Sequence, residues 1–466
     1  IEGADRIQCA RVLQYDVVVG KDIQVGDLGV LFPADGQVSE EFATKHDLVR
    51  RKNEDGTTAG GYMEANRRVK PLTLRKMRSE ALWMPISCLA YTGAAATLQE
   101  GVEFTNVAGH EICCKYVTPA SKRVTTKRDQ QAGTVRRAIC NTFFEHADTR
   151  NLRHALQELR AGDTCILTIK EHGTSGRIGY LPVTRLQNQP RHWSQKLAWT
   201  ERFHWGRKLL SRIRPPLTSI TAYEHVRGTR RVQLLDAQQT GYHGSAEFRY
   251  RCTEFLVGRL RKGETVYGEI VGFQAPGSAI MKQPTGKDKG LLKRFGPTMV
   301  FRYGQADGEC AFHVYRITSV TEDGDVFEYS WDQTVARCEE LHAVPVREIE
   351  RFIFDGDHDA LMTRLEKIVN GEAGYVVSII DPSHIEEGIV LRVERPLIFK
   401  PFKLKGFVFL GQESATKDDE TYVDVEEAQE TDGISENAAD DVLDLFEQAD
   451  SRLSQQLIDA NKELGR

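Results

Sequence analysis

Long apolar runs are what this chain lacks first. Nowhere in its 466 residues is there anything near the roughly 20 consecutive apolar positions of a membrane-spanning helix. No apolar leader opens it either, so no membrane partner is expected. Cysteine is sparse: nine residues, with one close pair, Cys113–Cys114. Adjacent thiols fit neither a zinc knuckle nor a C-x-x-C redox site, and an odd number speaks against a disulfide framework. A reducing cytoplasm is the expected location. Regular strand–helix alternation is missing as well, which excludes a doubly wound parallel sheet and leaves an α+β fold with antiparallel sheets.

What is present suits a soluble globular protein. Hydrophobic residues make up 40% and charged residues 28% of a chain long enough for two or three domains. The net charge of -5 hides an asymmetry. From residue 415 to the end there are 16 acids against 4 bases, a net of -12, which leaves the body of the chain at +7. A basic body suits a polyanion, because each neutralised phosphate releases condensed counterions, although enzymes with no such partner can carry a similar excess.

The first 118 residues alternate β-rich runs with Gly-containing turns. Ile7–Val19, Val25–Pro33, Val69–Leu74 and Ala81–Ile86 are the candidate strands, and Asn53–Gly61 is a polar loop. Several short strands with little helix suggest a small β-barrel, OB-like in size, and an SH3-like barrel would read the same way. A basic connector follows, with Lys122, Arg123, Lys127, Arg128, Arg136 and Arg137 close together. Leu152, Leu156 and Leu159 then mark a short helix over Leu152–Arg160. Residues 119–414 form the main α+β domain. Residues 415–441 are an acidic linker poor in apolar side chains. Residues 442–466 carry Val442, Leu445, Phe446, Ala449, Leu453 and Leu457 at helical steps, an amphipathic helix suited to docking on the body or on a protein partner.

The chemistry starts at Lys170-Glu171-His172-Gly173-Thr174-Ser175, directly after the apolar run Cys165-Ile166-Leu167. A lysine at a strand end, followed by glycine, can set an amine against a phosphate that the backbone approaches closely. Alone, this is a weak signal, equally a charged strand-to-loop transition. Further segments follow in order: Gly228-Thr229-Arg230-Arg231-Val232, Tyr267-Gly268-Glu269-Ile270, Phe312-His313-Val314-Tyr315, Glu387-Gly388-Ile389-Val390 and Lys403-Leu404-Lys405. Singly, each can be ordinary strand, core or hairpin.

Together and in this order, these segments resemble the motif series of the covalent nucleotidyltransferase superfamily of polynucleotide ligases and RNA capping enzymes. The His-Gly-Thr sequence after Lys170 is most similar to that of the ATP-dependent RNA ligases. The resemblance spans about residues 164–411, with weaker similarity upstream to an OB-like module. It implies a nucleotidyltransferase domain with an ATP-grasp-like ligase core. It also implies ATP and Mg²⁺ or Mn²⁺ as cofactors, and RNA ends, nicked or single-stranded, as partners. Lys170 would carry AMP, Arg230 contact the nucleotide, Glu269 hold the ribose, and Phe312 stack on adenine. Glu387 would hold the metal, and Lys403 and Lys405 the α-phosphate. His172 would brace the site or meet RNA, with Arg177 beside it. Two departures stand out. Ile169 precedes the lysine where many RNA ligases have Glu, and the interval from Lys170 to Arg230 is long, implying an insertion.

That insertion carries Arg191, Lys196, Arg202, Arg207, Lys208, Arg212 and Arg214, interleaved with Trp193, Trp199, Phe203 and Trp205. Basic side chains can track a phosphate backbone while aromatic rings stack on bases; an amphipathic helix burying its aromatics fits the same pattern. A DNA ligase, a capping-type enzyme and an inactive nucleic-acid-binding homologue remain the other readings. Replacing Trp193, Trp199 and Trp205 by Ala should weaken RNA binding in a filter assay and spare AMP attachment. Loss of both would place the three rings in a core.

Overall fold

The computed structural model describes residues 1–418 and 422, apart from 2, 35, 53–56, 76, 122–137, 188–217, 242–243, 287, 322 and 396–397. The basic connector, the three insertion tryptophans and the proposed carboxy-terminal helix therefore lie outside the described residues, as does nearly all of the acidic linker.

Two antiparallel sheets build the main domain. The first contains β1 (Thr164–Lys170), and the chain then crosses in three residues to the second sheet through β2 (Thr174–Gln187). The second sheet continues with β3 (Thr218–Gly228), β4 (Glu264–Ala275) and β5 (Cys310–Val320) in the spatial order β3-β2-β4-β5. The first sheet is completed by β6 (Glu348–Ile353), β7 (Gly388–Arg395) and β8 (Ile398–Lys405), ordered β8-β7-β1-β6, with Arg150–Asn151 added in parallel at the β8 edge.

Strand periodicity decides what each face does. On one face of the first sheet Cys165, Leu167, Leu391, Val393, Phe402 and Leu404 are buried. They pack against Leu361, Met362 and Leu365 of a helix over His358–Asn370 and against the Leu152–Leu159 turn. That turn is the expected helix, α-helical over Leu152–Ala155 and then a tighter turn over Leu156–Glu158. The opposite face carries Thr168, Lys170, Val390, Arg392 and Lys403 toward the second sheet. The second sheet buries Ile270, Phe312, Val314 and Ile317 on its far side against Phe248, Cys252 and Leu256.

The amino-terminal strands depart from the expected barrel. Ile7–Val19 is a hairpin rather than one run: Ile7–Val12 pairs with Tyr15–Gly20 across Leu13 and Gln14, both at positive φ. Gly29–Pro33 pairs with Ala81–Pro85, and Gly36–Val38 with Cys113–Lys115. These remain two-stranded ladders and close no barrel among the described residues. One hydrophobic cluster, including Phe32, Val38, Phe42, Leu89 and Ile112, still unites most of the segment. The cysteine expectation also needs one correction: Cys252 and Cys310 form a disulfide, 58 residues apart with Cα atoms at 6.1 Å. Helix Glu247–Thr253 lies against the start of β5 there, a juxtaposition that sequence separation conceals. No described helix is long and apolar enough to cross a membrane.

The amino-terminal segment meets the main domain through buried charge. Arg153 reaches Glu80 at 2.8 Å and also pairs with Glu366, with its guanidinium 5.2 Å from the Tyr15 ring. Burial pushes the Glu80 carboxyl above its ordinary range, and Arg153 offsets only part of that. Buried Arg68 donates to the Ser414 carbonyl at 2.8 Å. Removing one partner of a buried ion pair leaves an uncompensated charge, so Arg153→Met should lower unfolding stability by about 3–5 kcal/mol in urea titration. A change below about 1 kcal/mol would mean that the contact is dispensable.

Candidate active site

Lys170, the last residue of β1, lies opposite Gly388 of β7, which lies opposite Lys405 of β8. This row brings two ammonium groups to one carboxylate. Lys170 Nζ is 2.8 Å and Lys405 Nζ 3.1 Å from Glu387 Oε1, and Glu387 is 1% exposed. Burial alone would raise the Glu387 carboxyl; Lys170, Lys405 and His172 outweigh it and hold it well below the usual carboxylate range. Gly388 makes the row possible. A Cβ there would lie 2.2 Å from the Leu404 carbonyl oxygen and 2.8 Å from Lys405 Cα. Gly173, in the crossing turn, likewise sits where a Cβ would meet Ile270 O at 2.4 Å. Its N–H donates to Glu269 Oε1 at 3.1 Å, which ties the turn to β4.

A cavity opens between the two sheets beside this row. The first sheet contributes Thr168, Ile169, Lys170, Val390, Arg392, Phe399, Pro401 and Lys403; the second contributes Ser175, Glu269 and Tyr315. Arg230, His146, Trp331 and Val346 close it. Thr168, Val390 and Lys403 form the cross-strand row two residues back from the lysine row, on the same face, so Lys403 faces the same space. Glu269 is cross-strand from Ser175, and Arg230 Nη2 is 2.8 Å from Asp148 Oδ1. Lys170, Arg230, Glu269 and Lys403 therefore share one cavity. Glu387 stands outside that lining in contact with Lys170, and Lys405 contacts Glu387 in turn. Lys405 and Lys403 also line a neighbouring cavity with Tyr15, Glu80 and Arg153 of the domain seam.

Three expected roles change. Phe312 is 3% exposed and belongs to the core behind the second sheet, so it does not line the cavity. Tyr315 does: with Phe312 and Val314 on the buried face of β5, alternation turns Tyr315 to the other face, and Tyr315 is also the extra residue of a bulge, since Tyr267 is opposite Arg316 but Gly268 is opposite Val314. Arg177, expected at RNA, is 2% exposed. It donates to the carbonyls of Phe143 and Phe144 and to that of Arg231 at 3.1 Å. His172 faces inward rather than into the cavity. Its Nδ1 is 3.4 Å from Glu387, its Nε2 3.2 Å from the Gln283 amide, and its ring sits edge-on to Phe301 and Phe409. It braces the carboxylate and is held by apolar walls.

Other participants were not among the expected site residues. Glu413, on the helix Phe407–Thr416, places both oxygens 3.0 Å from Lys405 Nζ, so a second carboxylate holds that lysine. It lies eight residues past Lys405 in a segment that carries no motif. Glu171 pairs with His313 at 2.8 Å, both buried; burial would lower the imidazole, and Glu171 raises it overall.

A divalent cation can be tested against these donors. No group of three or more His, Cys, Asp or Glu converges among the described residues. Hard cations of the Mg²⁺ type nonetheless take one or two protein carboxylates and complete their shell with water and phosphate oxygens. Glu387, a buried carboxylate held ionised beside a cavity rich in cations, fits that single-ligand role.

No protein-family model and no curated protein sequence matches the chain. Solved structures of Naegleria gruberi RNA ligase do match in fold. The ligase with PPi has a TM-score of 0.53 at 14% identity, over 89% of this chain and 95% of that one. A lysine-to-methionine mutant with AMP and Mn gives 0.52 at 16%, over 88% and 94%. A lysine-to-alanine mutant with ATP and Mn gives 0.51 at 15%, over the same 88% and 94%. Over nearly all of its length, the chain is similar in fold to these RNA ligases.

Proposed function

We propose that the protein is an ATP-dependent RNA ligase that carries AMP on Lys170, passes it to a 5′-phosphate, and joins that end to a 3′-hydroxyl. The observation that carries this reading is the shared cavity. It presents a lysine, three further cations and a ribose-type acceptor, while a buried carboxylate touches the lysine from behind. Paired with Glu387, Lys170 is an ammonium and no nucleophile; attack requires that pairing to open. Lys405 and Arg230 then remain as nearby positive charges that disfavour the protonated amine. Once that ammonium has lost a proton to solvent, the Lys170 nitrogen attacks the α-phosphorus, and the bond to pyrophosphate breaks as the N–P bond forms, so that pyrophosphate leaves in line. Lys403 and Lys405 stabilise the charge that grows on the equatorial oxygens, where preset cations in a dry site act most strongly.

Glu269 accepts from a ribose hydroxyl, and Tyr315 takes the role of ring against the base. Mg²⁺ or Mn²⁺, held by Glu387, would supply charge neutralisation for the triphosphate. Residues 119–414 perform nucleotidyl transfer. The amino-terminal residues 1–118 grip RNA beside the lysine pair, together with the insertion that bears Trp193, Trp199 and Trp205. The acidic linker, residues 415–441, connects to a terminal helix over 442–466 that offers a surface to a protein partner.

Incubation with α-labelled ATP followed by denaturing electrophoresis should label the full chain, and Lys170→Ala should abolish the label. Glu387→Ala and Lys405→Ala should each reduce ligation by about 10²–10³-fold or more, since both groups act on developing charge. A labelled Lys170→Ala protein would misplace the nucleophile, and near-normal ligation by either other variant would break the assignment of that residue.

A further inference from the structure

The cavity wall opposite the lysine row is a strap of chain, Cys140 to Thr149, pinned at several points. Cys140 and Phe143 pack on Leu181, Val183 and Val226. Arg177 holds the carbonyls of Phe143 and Phe144, and the Tyr267 hydroxyl donates to Phe144 O at 3.0 Å. The His146 N–H donates to Arg230 O at 3.2 Å. His146 is thereby fixed on the cavity lining, with its ring edge-on to Tyr267 at 5.1 Å and its Nδ1 hydrogen-bonded to the Tyr315 hydroxyl. Its other nitrogen, Nε2, is shut off from solvent and has no hydrogen-bond partner among the described residues. Burial, with Arg177 and Arg230 adding to it, pushes the imidazole well below its ordinary range, so the ring is neutral. A buried polar atom left unpaired costs about 1–3 kcal/mol, a penalty that a ligand group reaching Nε2 would remove.

The neighbouring walls are mostly apolar. Ile169, Val346, Val390 and Phe399 line the cavity without a polar group on their side chains, and Tyr315 is engaged at its hydroxyl by His146. The lysines and Glu269 mark the phosphate and ribose positions, which leaves the Tyr315–His146 corner for the base. We propose that His146 is the base-reading residue of this site: with the Tyr315 ring against the face of adenine, Nε2 accepts a hydrogen bond from the exocyclic amine. In this assignment the His146 Nδ1–H donates to the Tyr315 oxygen, which leaves Nε2 with its lone pair. Guanine carries a carbonyl oxygen where adenine carries the amine, so the same lone pair opposes it. The inference rests on the cavity being a nucleotide site, and it adds which nucleotide is chosen and by which atom.

The test is calorimetric binding to the full chain, with magnesium, of ATP, GTP and purine riboside triphosphate, which lacks the amine. The wild-type protein should prefer ATP to the amine-free analogue by about tenfold, the worth of one hydrogen bond to a buried partner. His146→Phe keeps a ring but no acceptor. It should lose about tenfold for ATP, change little for the analogue, and so bind the two alike. His146→Asn, which can again present a carbonyl oxygen, should recover part of the preference. Tyr315→Phe, which frees the imidazole to turn, should erode the preference even if His146→Phe does not fold. A merely structural role for His146 would weaken all three nucleotides together, and that result, or an undiminished preference in His146→Phe, overturns the proposal. Equal wild-type affinity for ATP and the analogue overturns it as well, while leaving the ligase reading intact. Absence of wild-type binding to any of the three would remove the nucleotide reading and this inference with it.

Discussion

One carboxylate shared by two ammonium groups organises this molecule. Glu387 lies almost wholly out of water, and a buried unpaired carboxylate would be neutralised or expelled. Lys170 and Lys405 keep it charged, and it in turn holds their two strands in a single row. Each lysine is separated from the other by only one residue of sheet, Gly388, because nothing larger fits between their backbones. Glu413 and His172 add a second layer, one gripping Lys405 and the other the carboxylate. Such a network is costly to assemble and rigid once complete, which is what a site that handles phosphate charge requires.

The rest of the main domain positions this network. The first sheet turns an apolar face to a helix and its polar face to the second sheet, so the cavity is the seam between two half-buried surfaces. A three-residue crossing after Lys170 joins the two sheets. It carries the lysine, its neighbour Glu171 and the brace His172 to the seam together. The amino-terminal segment closes the far side through Arg153, Glu80 and Glu366, near the second cavity that Lys403 and Lys405 also line.

Sequence made the row legible and left its surroundings hidden, for identifiable reasons. Lys170, Arg230, Glu269, Lys403, Lys405 and Glu387 each sit in a short motif, and the order of those motifs along the chain predicted a common site; the fold gathers them. Phe312 was misjudged because it and Tyr315 fall on opposite faces of β5, and a motif that holds both rings does not say which face meets the cavity. Arg177 was expected at RNA because its charge gives no hint of the three carbonyls that absorb it. Glu413 and His146 belong to segments with no motif at all. Their positions depend on a helix and a strap docking from elsewhere, information that exists only in tertiary packing. The same holds for the Cys252–Cys310 pair and for strands that read as a barrel yet pair in twos.

Mapping the nucleotide on the protein bears most directly on the central claim. The full chain, incubated with ATP and magnesium, digested at neutral to alkaline pH and sequenced by mass spectrometry, should show AMP joined to the peptide containing residues 164–177, with the modification on Lys170 and sensitive to acid as a phosphoramidate is. An adduct confined to another residue, or an unmodified chain that still seals RNA ends, would contradict the account.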